Sequence, residues 1–240
     1  NPYSKRFTSS TKTYTFTIKD RAGNTNTCKA NVYLDVDKPS CGTNDGKTSW
    51  VNKDYTANVN CKDTGGSGCT QSKFSKKLTT DGRTDSITIR DVAGNTTSCT
   101  VNKYLDKTKP TCGGITGQST SWTKNNRTIS VKCSDNLSGC TKSSFSTTFD
   151  YSAKTDTITI KDSASNTRSC TVNVYVDKTA PSVKVNYSKE HITNENVVVT
   201  LEFDEPVYSV SNGFQLENPV KAIKEYTSNI NEDIIVTDLA

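Results

Sequence analysis

The sequence predicts an all-β protein made of several small sandwiches in tandem. Three observations predict it. A linker motif ending in proline returns at positions 39, 110 and 181, strands with strict two-residue alternation fill each interval, and most of the nine cysteines keep the same step. Apolar residues make up only 31% of the chain and methionine is absent. One large core would be short of side chains, whereas several thin cores suit this composition and need covalent support.

The repeat is read most directly from its linker. Leu34-Asp35-Val36-Asp37-Lys38-Pro39 returns as Leu105-Asp106-Lys107-Thr108-Lys109-Pro110 and as Val176-Asp177-Lys178-Thr179-Ala180-Pro181. The prolines at 39, 110 and 181 are equally spaced, and the same step separates the cysteines at 28, 99 and 170, those at 41 and 112, and the aspartates at 20, 91 and 162. The intervals Trp50 to Trp122 and Cys61 to Cys133 are a single position longer than that step, and Cys69 to Cys140 returns to it, so single insertions fall in loops. Residues 1–39 then form the back half of a first copy, 40–110 and 111–181 two complete copies, and 182–240 a divergent, truncated fourth. All seven glutamates and no cysteine lie in the fourth. Residues 1–181 hold 26 basic and 15 acidic residues, and 182–240 hold 4 and 10. That mild, scattered basic balance has no arginine cluster and no aromatic stacking platform, which excludes a nucleic-acid tract.

The strands follow in order within a copy. Ala57, Val59 and Cys61 alternate with polar residues, and Ile129, Val131 and Cys133 match them. Next come Ile87-Thr88-Ile89 and Ile158-Thr159-Ile160. The last strand sets Cys99, Val101, Lys103 and Leu105 against Thr100, Asn102 and Tyr104; its counterpart has Cys170, Val172, Val174 and Val176. Lys103 breaks the inward face, so that end of the strand is expected to be exposed or at an edge. Asp20-Arg21-Ala22-Gly23-Asn24 and Asp91-Val92-Ala93-Gly94-Asn95 suit a tight hairpin, with Asp bonding forward and Gly or Asn taking positive φ. In the third copy Ser165 replaces the glycine, which puts positive φ in doubt there. About seven short strands in ~70 residues is a sandwich pattern. The short linker, with proline fixing φ, predicts a semi-rigid rod.

These features resemble bacterial immunoglobulin-like repeats of surface and adhesin proteins, of the low-GC Gram-positive type. The residues that carry the resemblance are the Asp-x-Ala-Gly-Asn turns at 20–24 and 91–95, the Val/Leu-Asp-x-x-x-Pro linkers, and Ser67-Gly68-Cys69 and Ser138-Gly139-Cys140 after Cys-x-Asp. The fourth copy, with Thr200-Leu201-Glu202-Phe203-Asp204-Glu205-Pro206-Val207, looks like a related subfamily of adhesin-like arrays. The resemblance implies tandem immunoglobulin-like sandwiches at a bacterial surface or in secreted protein. It does not imply one function, because such repeats serve as stalks, adhesins and enzyme appendages alike.

Regularly spaced cysteines in small β-rich copies read as disulfides in an oxidising, extracellular compartment. Zinc is disfavoured, since the tightest pairs are Cys61…Cys69 and Cys133…Cys140 and the single histidine, His191, lies far from both. In such a sandwich all four cysteines of a copy sit near one pole, and two connectivities stay open. One joins neighbouring strands, Cys41–Cys61 and Cys112–Cys133, leaving Cys69–Cys99 and Cys140–Cys170. The other closes the loop locally, Cys61–Cys69 with Cys41–Cys99. Cys28 is expected to be unpaired by truncation, because extended chain holds it about 40 Å from Cys41.

Nothing points to catalysis, and the chain is read as a non-enzyme. His191 precedes Ile192-Thr193-Asn194 with no activated nucleophile beside it. Asp204 and Glu205 are sequence neighbours and so face opposite sides of a strand, unlike a paired acid and base. Trp50 and Trp122 are expected in edge packing, with a sugar or protein platform as the second use. Tyr33, Tyr104 and Tyr175 are expected to pack between copies, with ligand contact as the second use. No metal or cofactor is required. Calcium at the linkers is the one candidate, with Asp35 and Asp37 meeting Asp63, Asp91 or Asn95 of the next copy.

The chain starts at Asn1 without methionine and stops at Asp238-Leu239-Ala240, partway through a motif, so both ends read as cut and an export signal or anchor is expected elsewhere. No segment is apolar for long enough to span a bilayer as a helix. The expected role is a disulfide-stabilised stalk or spacer, with a host-protein or glycan-binding adhesin module, or accessory repeats of a secreted hydrolase, as alternatives. Expected partners are neighbouring repeats and a host protein or glycan, with no nucleic acid, and a membrane only through an anchor.

Overall fold

The computed structural model describes residues 4–191 and 193–240; residues 1–3 and Ile192 lie outside them. The described residues hold eighteen strands and no helix, in small antiparallel sheets consistent with β-sandwiches. They form two compact units: residues 1–111 with 134–141 and 161–167, and residues 112–133, 142–160 and 168–240.

In the first unit, β1 (Thr11–Lys19) and β2 (Thr25–Leu34) make a hairpin. The three strands β3 (Ser40–Asn44), β4 (Tyr55–Lys62) and β5 (Lys73–Leu78) form a sheet in that order, and β6 (Gly82–Arg90) pairs with β7 (Thr96–Leu105). Alternation drives the packing. Ala57, Val59 and Leu78 from the three-stranded sheet and Ile87, Ile89, Cys99 and Val101 from the hairpin are all buried in one cluster. Burying each such side chain contributes about 1.5–3 kcal/mol, so a core this small is marginal without crosslinks.

Lys103 departs from expectation in part. It lies on an edge strand, since β6 and β7 make a two-stranded sheet, but it is not exposed there: it is 5% exposed. Its ammonium reaches Thr80 Oγ1 at 3.3 Å and Asp85 at 3.7 Å. A lysine can hold an inward position when its charge finds oxygen partners.

The hairpin turns form as their chemistry dictates. The Asp91 carboxylate accepts the Asn95 backbone N–H and side-chain amide, both at 2.8 Å, and Gly94 takes φ +97°. Asp20 and Asn24 repeat this geometry, and so do Asp162 and Asn166. Ser165 adopts φ 76°, so the left-handed conformation survives the loss of glycine. The paired Asp–Asn bonds close the turn whatever residue sits between them.

In the second unit, β8 (Thr111–Thr116), β9 (Arg127–Ser134) and β10 (Ser144–Phe149) form a sheet in the order β10-β9-β8. The hairpin is β11 (Ala153–Lys161) with β12 (Thr167–Val176). Ile129, Val131, Phe149, Ile160, Val172 and Val174 lead the buried cluster. The remaining strands are β13 (Val183–Tyr187), β14 (Val197–Phe203), β15 (Val207–Val210), β16 (Gln215–Asn218), β17 (Lys221–Tyr226) and β18 (Val236–Asp238). They make a sheet β13-β14-β17-β16 and a pair β15-β18 around Leu201, Phe203, Val207, Phe214 and Ala222.

The disulfides correct the neighbouring-strand pairing. Cys41 bonds Cys99 with Cα atoms 5.8 Å apart, Cys61 bonds Cys69, and Cys112 bonds Cys170. Cys133 and Cys140 are bonded as well, and Cys28 is the free cysteine. Cys41 and Cys61 do face each other across β3 and β4. The sulfur of Cys41 instead crosses to Cys99 on the hairpin behind it, while Cys61 reaches the loop that returns beside Asp91. Eight bonded cysteines are compatible with an oxidising compartment.

Candidate functional site

The feature that repeats most faithfully outside the strands is a group of carboxylates at the linkers. Asp35 follows β2 directly. Its Oδ2 accepts the Ser67 backbone N–H at 2.9 Å, its Oδ1 accepts the Asp37 N–H at 3.1 Å, and its own carbonyl accepts the Asn95 amide at 3.3 Å. Asp106 follows β7 in the same way. Its Oδ2 accepts the Ser138 N–H at 3.0 Å, its Oδ1 the Thr108 N–H at 3.0 Å, and its carbonyl the Asn166 amide at 2.9 Å. The linker is therefore held by the loop after the second strand and by the hairpin turn of the copy that follows it. Both sets belong to the first unit, which explains why residues 134–141 and 161–167 group with it.

A second carboxylate stiffens each loop. Asp63 accepts the N–H groups of Gly65 at 3.2 Å and Gly68 at 2.7 Å, and Asp135 accepts those of Leu137 at 3.1 Å and Gly139 at 2.8 Å. The third carboxylate is the turn residue, Asp91 or Asp162. Within each set the three aspartates bring one oxygen apiece to within 4.8 Å of one another. Asp91, Asp106 and Asp162 are fully buried. Among the described residues no lysine or arginine forms an ion pair with any of the six. Backbone and amide N–H groups take that role. The hydroxyl and N–H of Ser67 hold the Asp35 carboxyl below its ordinary value, as the Asn24 amide does for Asp20.

These residues are also the ones that could hold a hard cation. Three carboxylate oxygens are fewer than the six to eight that calcium takes, and N–H donors already engage them. Asp37, expected among the ligands, stays outside both sets and contributes its N–H.

No family model, curated protein or solved structure matches this chain. The resemblance to bacterial immunoglobulin-like repeats rests on the motifs alone.

The third linker is built differently. Asp177 accepts the Ser152 hydroxyl at 3.1 Å and the Thr179 N–H at 3.0 Å. Glu205, at the position that corresponds to Asp63, has its carboxyl pushed up by burial and by the charges of Asp177, Asp204 and Asp238. Asp204 is held down by the hydroxyl and N–H of Ser182. The two are thus separated in environment, and the correspondence of Glu205 to Asp63 is one that the motif reading missed although the repeat spacing carries it. His191 is exposed.

Two tryptophan–tyrosine contacts form within a copy. Trp50 packs edge-on against Tyr104 at 5.3 Å with the Arg83 guanidinium 5.2 Å from its ring, and Trp122 lies 5.0 Å from Tyr175. Tyr33, Tyr104 and Tyr175 all have left-handed backbones, with φ of 52°, 42° and 50°. At Tyr33 and Tyr104 that conformation falls beside a register shift of the hairpin. Tyr104 and Tyr175 land on a tryptophan of their own copy, which corrects the expectation of packing between copies for these two, whereas Tyr33 lines a cavity with Gly65, Gly66 and Val92 of the next copy. Arg83 does reach the next copy, donating to the Leu137 carbonyl at 3.3 Å.

Proposed function

We propose that this chain is a structural spacer: tandem immunoglobulin-like repeats of an extracellular or bacterial cell-surface protein, whose joints are fastened by linker aspartates. The observation that carries this reading is the recurrence of one fastening, on the same atoms, at the step of the repeat. Asp35 with Ser67 and Asn95 becomes Asp106 with Ser138 and Asn166. A binding site needs one well-made copy. A spacer needs a linker that cannot swing independently of the next repeat, and the first two linkers share one such fastening. The disulfides serve the same end, because a copy with a thin core resists local opening only if its sheets are crosslinked. The loops 62–68 and 134–139 differ in length and charge, which favours spacer over a shared ligand site.

Distance measurements test the reading. Spin labels at Lys29 and Thr88, both exposed, report on the first joint in a Cys28→Ser background. The native joint gives one narrow distance distribution, and Asp35→Ala broadens it. A distribution that is broad from the start, or narrow in both, refutes the fastened joint.

A further inference from the structure

The two disulfides of the second copy hold different things. Cys41–Cys99 ties β3 to β7, and Cys99, 2% exposed, sits in the buried cluster between the sheets. Cys61–Cys69 spans 8 residues, and both of its cysteines are half-buried at the surface. The loop it closes reads Lys62-Asp63-Thr64-Gly65-Gly66-Ser67-Gly68, and its three glycines give the open chain wide conformational freedom. This loop reaches both sides of the first joint. The Ser67 N–H donates to Asp35 of the linker at 2.9 Å, and the Gly68 carbonyl accepts the Val92 N–H of the hairpin turn at 2.8 Å. No residue from 62 to 69 belongs to the buried cluster. The second joint has an extra hold. Its loop, 134–139, has one glycine where the first has three, and the Arg83 guanidinium donates to the Leu137 carbonyl at 3.3 Å. Lys12, the matching residue on β1, lies beside Gly66 but donates no hydrogen bond to the loop among the described residues.

We propose that Cys61–Cys69 is a redox-sensitive lock on the first joint: its reduction by a dithiol frees the loop, withdraws the Ser67 N–H from Asp35 and loosens the linker, while Cys41–Cys99 keeps the sandwich closed and Arg83 keeps the second joint fastened. The inference rests on the fastened joint proposed above and names what controls it. One thiolate of the dithiol attacks a sulfur of the bond, a mixed disulfide forms, and the other cysteine leaves as a thiolate. The second thiol of the dithiol then displaces the remaining cysteine. Two electrons and two protons pass to Cys61 and Cys69, and the dithiol departs as a cyclic disulfide. Cys41–Cys99 resists the same reagent longer, because its span of 58 residues restricts the unfolded chain more.

The test uses the 240-residue chain carrying Cys28→Ser, first titrated with dithiothreitol and alkylated, then with Cys61→Ser/Cys69→Ser added as a permanently open loop. Amide exchange is read at Ser67, at Ser138 and along the β6–β7 ladder. Cys61 and Cys69 should be alkylated before Cys41 and Cys99. With the bond open, Ser67 should exchange about tenfold or more faster, and the ladder should stay about tenfold or more slower than Ser67. Cys133→Ser/Cys140→Ser should release Ser138 far less than Ser67 is released, until Arg83→Ala is added. Ser67 that stays slow with the bond open overturns the proposal. So does a ladder that exchanges as fast as Ser67, since the bond then holds the copy and not the joint, and so does Ser138 released as far as Ser67 with Arg83 in place. Ser67 exchanging as open chain while the bond is intact sinks the fastened joint itself, and the lock with it.

Discussion

Deleting the two kinds of disulfide should have unequal costs, and the structure sets the ratio. Cys41–Cys99 closes a span of 58 residues and Cys61–Cys69 a span of 8. If a crosslink acts mainly by restricting the unfolded chain, the first contributes about 4 kcal/mol and the second about 2.5 kcal/mol. Alanine at Cys99, which is buried, also leaves a small void and widens the gap. For a copy of this size each kcal/mol moves Tm by roughly 6 °C, so Cys41→Ala/Cys99→Ala should lower Tm by about 25 °C and Cys61→Ala/Cys69→Ala by about 15 °C. The chain has two tryptophans, so Trp122→Phe leaves Trp50, packed on Tyr104, to report on this copy alone. Cys28→Ser removes the thiol that could shuffle the bonds. Thermal unfolding is then followed by tryptophan fluorescence without reductant. Equal losses, or a larger loss from the short span, would refute the argument that chain restriction holds these thin sandwiches together.

Three further outcomes are expected. The carboxyls of Asp20, Asp35 and Asp85 sit below their ordinary 3.8 through bonds from Asn24, Ser67 and Lys76 respectively. Their stabilising effect is therefore complete at pH values above about 4 and is lost as pH falls through the lowered folded values, so urea midpoints should stay flat from neutral pH to about 4 and then drop. Gly94→Ala, at φ +97°, should destabilise by about 1–2 kcal/mol, whereas Ser165→Gly, at φ 76°, should be neutral or slightly stabilising in denaturant titrations. Lys103→Val copies Val174 of the next repeat and should be neutral or stabilising, because Asp85 keeps Lys76 at 2.7 Å; Asp85→Ala strands the buried ammonium and should cost about 3 kcal/mol in the same assay.

Much of the fold was legible because its cause is local. Two-residue alternation at Val59, Ile87, Ile89 and Val101 states which face is buried, and the Asp–Asn pair at 91 and 95 states where the chain turns. The disulfides were less legible. Spacing shows that Cys41 and Cys61 face each other, but not that the sulfur prefers the sheet behind, which depends on how two sheets stack. The burial of Lys103 was missed because its acceptors, Thr80 and Asp85, lie some twenty residues away and carry no local signature. The linker aspartates were visible as a recurring motif. Their partners were only half visible, since Asn95 and Asp63 could be named while the Ser67 N–H, a backbone donor, leaves no trace in residue type. Glu205 lies as far beyond Asp63 as Pro181 lies beyond Pro39, so the repeat does point to it; the change from aspartate to glutamate in a copy of different composition hid the match.

Amide hydrogen exchange at Ser67 and Ser138 tests the fastened linker most directly. Each N–H donates to a linker carboxylate, so both should exchange slowly in the native chain, with Asp35→Ala releasing Ser67 alone and Asp106→Ala releasing Ser138 alone. Exchange at the rate of open chain in the native protein, or slow exchange that survives both substitutions, would contradict the account.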